Sequence, residues 1–142
     1  MIIDSSALVA ILRAEPGHDR FVRAIANATR RLIAAPTLLE TSMVLAGGWQ
    51  DEILQPFDAF LRTASIETIA FTADHTAVAR HAFLRYGKGR HPAALNFGDC
   101  IAYATARLEA MPLLFERDDF RLTDIEPAIQ GIRPAPAPAA SR

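Results

Sequence analysis

The sequence predicts an α/β fold, with a mostly parallel central sheet flanked by helices on both faces. Three observations lead there. Short apolar runs of strand length recur along the chain: Met1-Ile2-Ile3, Leu32-Ile33-Ala34-Ala35, Ile66-Glu67-Thr68-Ile69 and Leu113-Leu114-Phe115. The segments between them carry apolar residues at helical spacing. The chain has 142 residues, 51% hydrophobic and 22% charged, enough for one domain to bury a core without disulfides.

The first run stops at Asp4-Ser5-Ser6, and Ala7-Leu8-Val9-Ala10-Ile11-Leu12 follows. This is a buried strand and then a helix capped by Asp4 or Ser5, whose side-chain oxygens satisfy free N–H groups. Pro16-Gly17 breaks that helix, and Phe21, Val22, Ile25 and Ala26 mark a second one through about Thr29. After the second strand, Pro36 suits the first turn of a helix that carries Leu38, Leu39, Met43, Val44 and Leu45 to Gly47-Gly48. Asp51 opens another helix, with Ile53, Leu54, Phe57, Phe60 and Leu61. The alternating, β-branched Ile66–Ile69 run is a strand, and a helix spans about Thr72 to Tyr86. A polar loop from Gly87 to Phe97 leads into a helix opened by Phe97-Gly98-Asp99 and ended by Pro112, before the last strand. The folded domain is expected over 1–132. Residues 133–142 are Pro/Ala-rich and are expected to be disordered.

Lys+Arg 15 against Asp+Glu 16 gives a net charge of −1, which predicts neither a polybasic arm nor an acidic tail. A local basic rim still serves a nucleic-acid substrate on a neutral protein. The one cysteine, Cys100, forms no internal disulfide and supports no Cys-based zinc site. Asp4 interrupts the first apolar run before a secretory leader develops, and no stretch approaches the roughly 20 apolar residues that span a bilayer. A soluble, cytoplasmic protein with no membrane association is expected.

In parallel α/β sheets ligands bind beyond the carboxyl ends of the strands. Four places put carboxylates there: Asp4 after the first strand, Glu40 on the helix after the second, Asp99 at a helix start, and Asp118-Asp119 after the last strand. Taken singly, Asp4 and Asp99 serve equally as helix caps, Glu40 as an exposed helix residue, and Asp118 and Asp119 as turn residues. Converging, they form an acidic pocket whose repulsion needs a compensating cation. The ligands are all hard oxygens, with no Cys or His at ligand spacing. That selects Mg²⁺ or Mn²⁺ over Zn²⁺.

Met1-Ile2-Ile3-Asp4-Ser5-Ser6-Ala7, Glu40 one helix later, Asn96-Phe97-Gly98-Asp99-Cys100 and Leu114-Phe115-Glu116-Arg117-Asp118-Asp119-Phe120 together resemble the PIN-domain ribonucleases. More narrowly they resemble the VapC-type toxins of bacterial toxin–antitoxin pairs. Gly87-Lys88-Gly89-Arg90-His91-Pro92-Ala93 and Leu122-Thr123-Asp124-Ile125 fit one subgroup of these, and the likeness runs from Met1 to about Ile129. The resemblance implies a PIN-like three-layer sandwich and a Mg²⁺- or Mn²⁺-dependent endoribonuclease. Asp4, Glu40 and Asp99 match the first three family acids. Asp118 and Asp119 both fall in the motif of the fourth; relatives can carry Asn at the position of Asp118, which favours Asp119. Asp4, Asp99 and Asp119 are the implied metal ligands. The resemblance also implies an RNA substrate, a homodimer and a small antitoxin protein as partner.

Lys88 and Arg90, in the most basic loop, are candidates for holding the RNA backbone; the alternative is a solvated loop. Ser6 either hydrogen-bonds a metal-bound water or a site carboxylate, or simply tightens a helical turn. Trp49 and Tyr86 are candidates for base stacking or for core and interface packing. The alternative function is a non-catalytic PIN-like module that binds RNA or a protein without cutting. A phosphatase of another α/β fold would need a second Asp two residues after its nucleophile, where this chain has Ser6.

Overall fold

The computed structural model describes residues 1–130, so the tail expected over 133–142 lies outside the described residues. The apolar runs form four short strands: β1 (Ile2–Ile3), β2 (Leu32–Ala34), β3 (Glu67–Ile69) and β4 (Leu113–Leu114). Among the described residues the α-helices are α1 (Ser5–Leu12), α2 (Asp19–Asn27), α3 (Ala35–Leu45), α4 (Leu54–Thr63), α5 (Ala73–Tyr86) and α6 (Phe97–Glu109). Asp51 opens not an α-helix but a 3₁₀ turn over Asp51–Ile53, which leads into α4; a second 3₁₀ turn spans Asp118–Leu122. No helix among the described residues is long and apolar enough to cross a membrane.

The strands pair in parallel in the order β3-β2-β1-β4. Because successive side chains of a strand point to opposite faces, each strand feeds two cores. Ile2, Leu32 and Leu113 pack with Ala82, Tyr86, Ala102, Tyr103 and Ala106 of α5 and α6. Ile3, Ile33 and Leu114 pack with Leu8, Phe21, Ile25, Leu45 and Phe57 on α1 to α4. The sheet is thus covered on both sides, which is the expected three-layer arrangement. Full burial of a side chain such as Phe21 or Phe57 contributes roughly 1.5–3 kcal/mol. Past β4 the chain returns alongside it: Leu113 N–H donates to the Glu126 carbonyl at 2.9 Å and Ala128 N–H to the Leu113 carbonyl at 2.8 Å. That pairing covers the β4 edge.

The 87–96 segment is less polar in effect than in composition. Ala93 and Leu95 are fully buried, the Lys88 N–H donates to the Leu95 carbonyl at 3.0 Å and the Leu95 N–H to the Tyr86 carbonyl at 2.9 Å. The His91 Nδ1 accepts from the Ala93 N–H at 3.0 Å, and its ring meets Tyr86 edge-on. The aromatic residues divide. Phe57 and Tyr86 are core, whereas Trp49 is 93% exposed.

β1 lies between β2, the next strand in sequence, and β4, the last. Connections therefore leave β1 and β4 toward opposite sides. The crevice between diverging connections, at the carboxyl ends of the strands, is where such sheets bind ligands.

Candidate active site

Asp4 leaves β1 as the N-cap of α1, with its backbone extended and its N–H donating to the Leu114 carbonyl of β4 at 2.9 Å. Its Oδ2 accepts from the Ser6 N–H at 3.1 Å and from the Ser6 Oγ at 2.6 Å. The Ser6 Oγ in turn accepts from the Glu116 N–H at 3.0 Å. Ser6 thus ties the acid after β1 to the segment after β4, a use of its hydroxyl beyond tightening a helical turn.

Glu40 sits in the second turn of α3, whose start is set by Pro36. The Ser5 Oγ donates to its Oε1 at 2.6 Å. Its carboxylate also lies against Gly98, where a methyl group would overlap the Glu40 Oε2. The absence of a side chain at Gly98 is therefore what lets the Glu40 carboxylate sit against the start of α6.

Asp99 is the third residue of α6. Asn96 caps that helix, accepting the Asp99 N–H on its Oδ1 at 2.9 Å, and the Asp99 Oδ2 accepts the Asn96 N–H at 2.9 Å. This reciprocal capping box uses one oxygen of Asp99. Of the two adjacent acids after β4, Asp118 is exposed and pairs with Arg121 at 2.9 Å. Asp119 is half-buried, and its charge acts on Asp99.

Asp4, Ser5, Ser6, Glu40, Asn96 and Asp99 line one cavity of about 200 Å³. Asp4 is 4% exposed and Asp99 6%. Burial raises the Asp4 pKa to about 6, helped by the charges of Asp99 and Glu40 and opposed by the two Ser6 hydrogen bonds. Burial likewise raises Asp99, with Asp119 and Glu40 pushing the same way and the Asn96 amide and Arg117 opposing. Two of these carboxyls are thus buried with too little positive charge beside them.

Among the described residues no three acidic, histidine or cysteine side chains converge closely enough to hold an ion as they stand. Each carboxylate accepts from a protein donor. Yet each spends a single oxygen. Asp4 Oδ1, Glu40 Oε2 and Asp99 Oδ1 have no hydrogen-bond partner among the described residues. Hard oxygens on desolvated, mutually repelling carboxylates are the donor set a divalent cation of the Mg²⁺ or Mn²⁺ kind takes. The residues fit such an ion.

Lys88 and Arg90 do not line this cavity. They are exposed, and the Arg90 guanidinium lies 5.2 Å from the Phe83 ring centroid. The cations at the acids are instead Arg13 and Arg117, which sequence reasoning misses because single arginines at helix and strand ends carry no pattern. Ser5 and Gly98 are missed for a similar reason. Their importance depends on where Glu40 arrives from another element. A larger cavity of about 620 Å³ lies elsewhere, lined by apolar residues including Pro36, Phe83, Leu84 and Phe97.

The PIN domain family model matches residues 1–126. The chain is 43% identical over 125 residues to a Ribonuclease VapC of Mycolicibacterium smegmatis, covering 88% of this chain and 97% of the relative. It is 44% identical over 127 residues to Ribonuclease VapC36 of Mycobacterium tuberculosis, covering 89% and 91%. Among solved structures it resembles M. tuberculosis VapC20, described as a Sarcin-Ricin loop cleaving toxin, with a TM-score of 0.70 at 18% identity over 87% of this chain and 95% of that one. A toxin–antitoxin complex from Klebsiella pneumoniae gives a TM-score of 0.61 at 17% identity, covering 84% and 88%. At those identities the likeness to the two solved structures is one of fold.

Proposed function

Since this chain belongs to the PIN-domain family, with VapC ribonucleases as its near relatives, we propose that it is an endoribonuclease acting as the toxin of a toxin–antitoxin pair. In this reading Asp4, Glu40, Asp99 and Asp119 form the catalytic set, with Asp4, Asp99 and Asp119 ligating Mg²⁺ or Mn²⁺. The observation that carries it is the pocket at the carboxyl edge of β1 and β4, where the buried Asp4 and Asp99 and the half-buried Glu40 each keep one uncommitted oxygen. Asp118, exposed and held by Arg121, is the weaker candidate for the fourth acid.

When bound, a divalent ion supplies an activated water and neutralises charge at the phosphate. The chain's own residues hold the constellation still. Ser6 fixes the Asp4 carboxylate from two directions, through its N–H and its Oγ. Ser5 fixes Glu40 and the Asn96 N–H fixes Asp99. These bonds hold each carboxylate in one orientation, so that what remains when an ion binds is the approach of the acids to one another, and restricting the groups beforehand supplies much of an enzyme's rate. Lys88 and Arg90, outside the pocket, serve as outer contacts to the RNA backbone.

The partners in this reading are RNA, a small antitoxin protein and a second copy of the chain, in the cytoplasm. The exposed Leu39, Met43, Leu84, Trp49 and Phe97 support a protein interface. The test is cleavage of total cellular RNA by the purified protein in Mg²⁺ or Mn²⁺. Cleavage is expected with metal, lost in EDTA, and lost in Asp99→Asn with an unchanged circular dichroism spectrum. RNA binding without cleavage under every metal condition would mean a non-catalytic module.

A further inference from the structure

A polyanion cannot readily enter the pocket just described. It is lined by the carboxylates of Asp4, Glu15, Glu40, Asp99 and Glu116, against two cationic side chains, Arg13 and Arg117. One divalent ion offsets only part of the excess, and a phosphodiester adds a further negative charge. Something on the protein must meet that charge.

The two arginines are held differently. Arg13 is the C-cap of α1, and its Nη2 donates to the Val44 carbonyl near the end of α3 at 3.0 Å. This fixes its guanidinium at the wall of the pocket and leaves its other donors open. Arg117 is exposed, in extended backbone just before the Asp118–Leu122 turn. No carboxylate lies within 4.0 Å of it among the described residues, and none of its donors is spent in a hydrogen bond there. It is nevertheless near enough for its charge to act on Asp99. Arg121, four residues on, is by contrast paired to Asp118. An arginine beside buried acids that closes on none of them has its planar fork available for another oxyanion, and phosphate is the group that fork matches in two-point geometry.

Resting on the ribonuclease reading above, we infer that Arg117, with Arg13 as its anchored counterpart, is the phosphate clamp of the site: the two arginines receive the RNA phosphates at the acidic pocket. Arg117 is a substrate-binding residue in this scheme and takes no part in proton transfer. Its loss weakens binding in proportion to the phosphate contact removed and is insensitive to base sequence.

The salt dependence of binding reads this directly. Fluorescence anisotropy of a fluorescein-labelled oligouridylate is followed across a KCl series, with Ca²⁺ replacing Mg²⁺ to hold the RNA uncut. Arg117→Gln is expected to weaken binding several-fold at low salt. It also lowers the slope of log K against log salt by about 0.7, the contribution of one single-strand phosphate contact. Arg13→Gln lowers the slope by about the same amount, the double variant by about twice that, and Arg117→Lys keeps the slope while losing affinity. A merely charge-balancing Arg117 would leave the slope unmoved. Parent and Arg117→Gln with equal affinity and slope would overturn the clamp and leave the ribonuclease reading intact. A parent protein that does not bind the oligouridylate would overturn the clamp, whereas the ribonuclease reading falls only if total cellular RNA stays uncut with metal present. Melting temperature checks folding, and Arg117→Gln should change it little, because the side chain gives up no hydrogen bond and only its distant attraction to Asp99.

Discussion

Replacing Asp4 by Asn should make the metal-free protein more stable at neutral pH. Asp4 is buried, and in the folded chain it holds its proton up to a pH of about 6 against an ordinary 3.8. The protonated form therefore favours the folded state. That contribution is fully present below pH of about 4 and is lost as pH rises through about 6. The gap between the two values corresponds to roughly 3 kcal/mol at pH 7.5. The carboxamide of the Asp4→Asn variant stays neutral at every pH, so that protein escapes the loss. Its Oδ1 can still accept from Ser6, and Asn caps helices as well as Asp does. For a chain of this size the gain is about 10 °C in melting temperature as an upper limit. The assay is thermal unfolding by circular dichroism in EDTA at pH 4.5, 6 and 7.5. Asp4→Asn should melt above the parent at pH 7.5, and the difference should shrink toward pH 4.5. In saturating Mn²⁺ the order should reverse, because only the parent keeps the ligand. An Asp4→Asn protein that is less stable than the parent by the same margin at all three pH values would refute the reasoning. It would mean that the Ser6 bonds fully satisfy the carboxylate.

The other predictions concern the same pocket and the surface beside it. Gly98→Ala puts a methyl group on the Glu40 Oε2, the movable end of a side chain; cleavage should fall about 100-fold. Stability should stay level or rise by up to about 1 kcal/mol, since Ala favours a helix over Gly, and unchanged cleavage of total RNA would show that the position of Glu40 is immaterial. Mn²⁺ should raise the parent's melting temperature through binding to the folded state only, by about 2.7 kcal/mol of stability at a hundredfold excess over Kd. Asp99→Asn should lose most of that gain, and differential scanning fluorimetry would expose a shift common to both proteins as unspecific. Met43→Asp and Trp49→Asp remove apolar surface from side chains 67% and 93% exposed; light scattering should then give a monomer where the parent gives a dimer, and a monomeric parent would remove the homodimer.

Much of the fold is legible because the hydrophobic pattern does two things at once. Apolar doublets such as Ile2-Ile3 and Leu113-Leu114 are fully apolar because both faces of the sheet are covered, and the structure shows them feeding two cores. Element limits are less legible. The helix read from Asp51 begins as a 3₁₀ turn, and the strands are two or three residues long, because their ends are set by pairing partners distant in sequence. The acids are legible as a set of strand-end carboxylates. Which cations accompany them is not. Charge density draws attention to Lys88 and Arg90, yet their loop is pinned by the buried Ala93 and Leu95 to the α5 side, where Arg90 stacks on Phe83. Arg13 and Arg117 reach the acids through tertiary geometry alone. Trp49 illustrates the same limit: an aromatic near an apolar helix suggests core, but here it follows Gly48 in left-handed backbone, at φ 64°, and projects into solvent.

The sequence leaves open whether Asp4 and Asp99 are helix caps or the proposed active-site acids, and the capping that the structure shows is compatible with both. A carboxylate has two oxygens with separate lone pairs. In Asp4 both Ser6 bonds fall on Oδ2, and in Asp99 the Asn96 bond falls on Oδ2, so capping occupies one oxygen and leaves the other. The cap is also what makes the second oxygen useful. A helix N-terminus fixes the carboxyl against rotation, and its free N–H groups favour the charged form. At Asp4 burial outweighs that help, since its pKa is raised to about 6 despite the Ser6 bonds. The residual excess of negative charge is what a divalent ion, or the guanidinium of an inhibitor, would relieve. A Ser5 or Ser6 substitution should therefore act mainly on the aim of a carboxylate rather than on its presence, so such variants should lose activity while still binding the ion. This separates the positioning hydroxyls from the ligands on which they act.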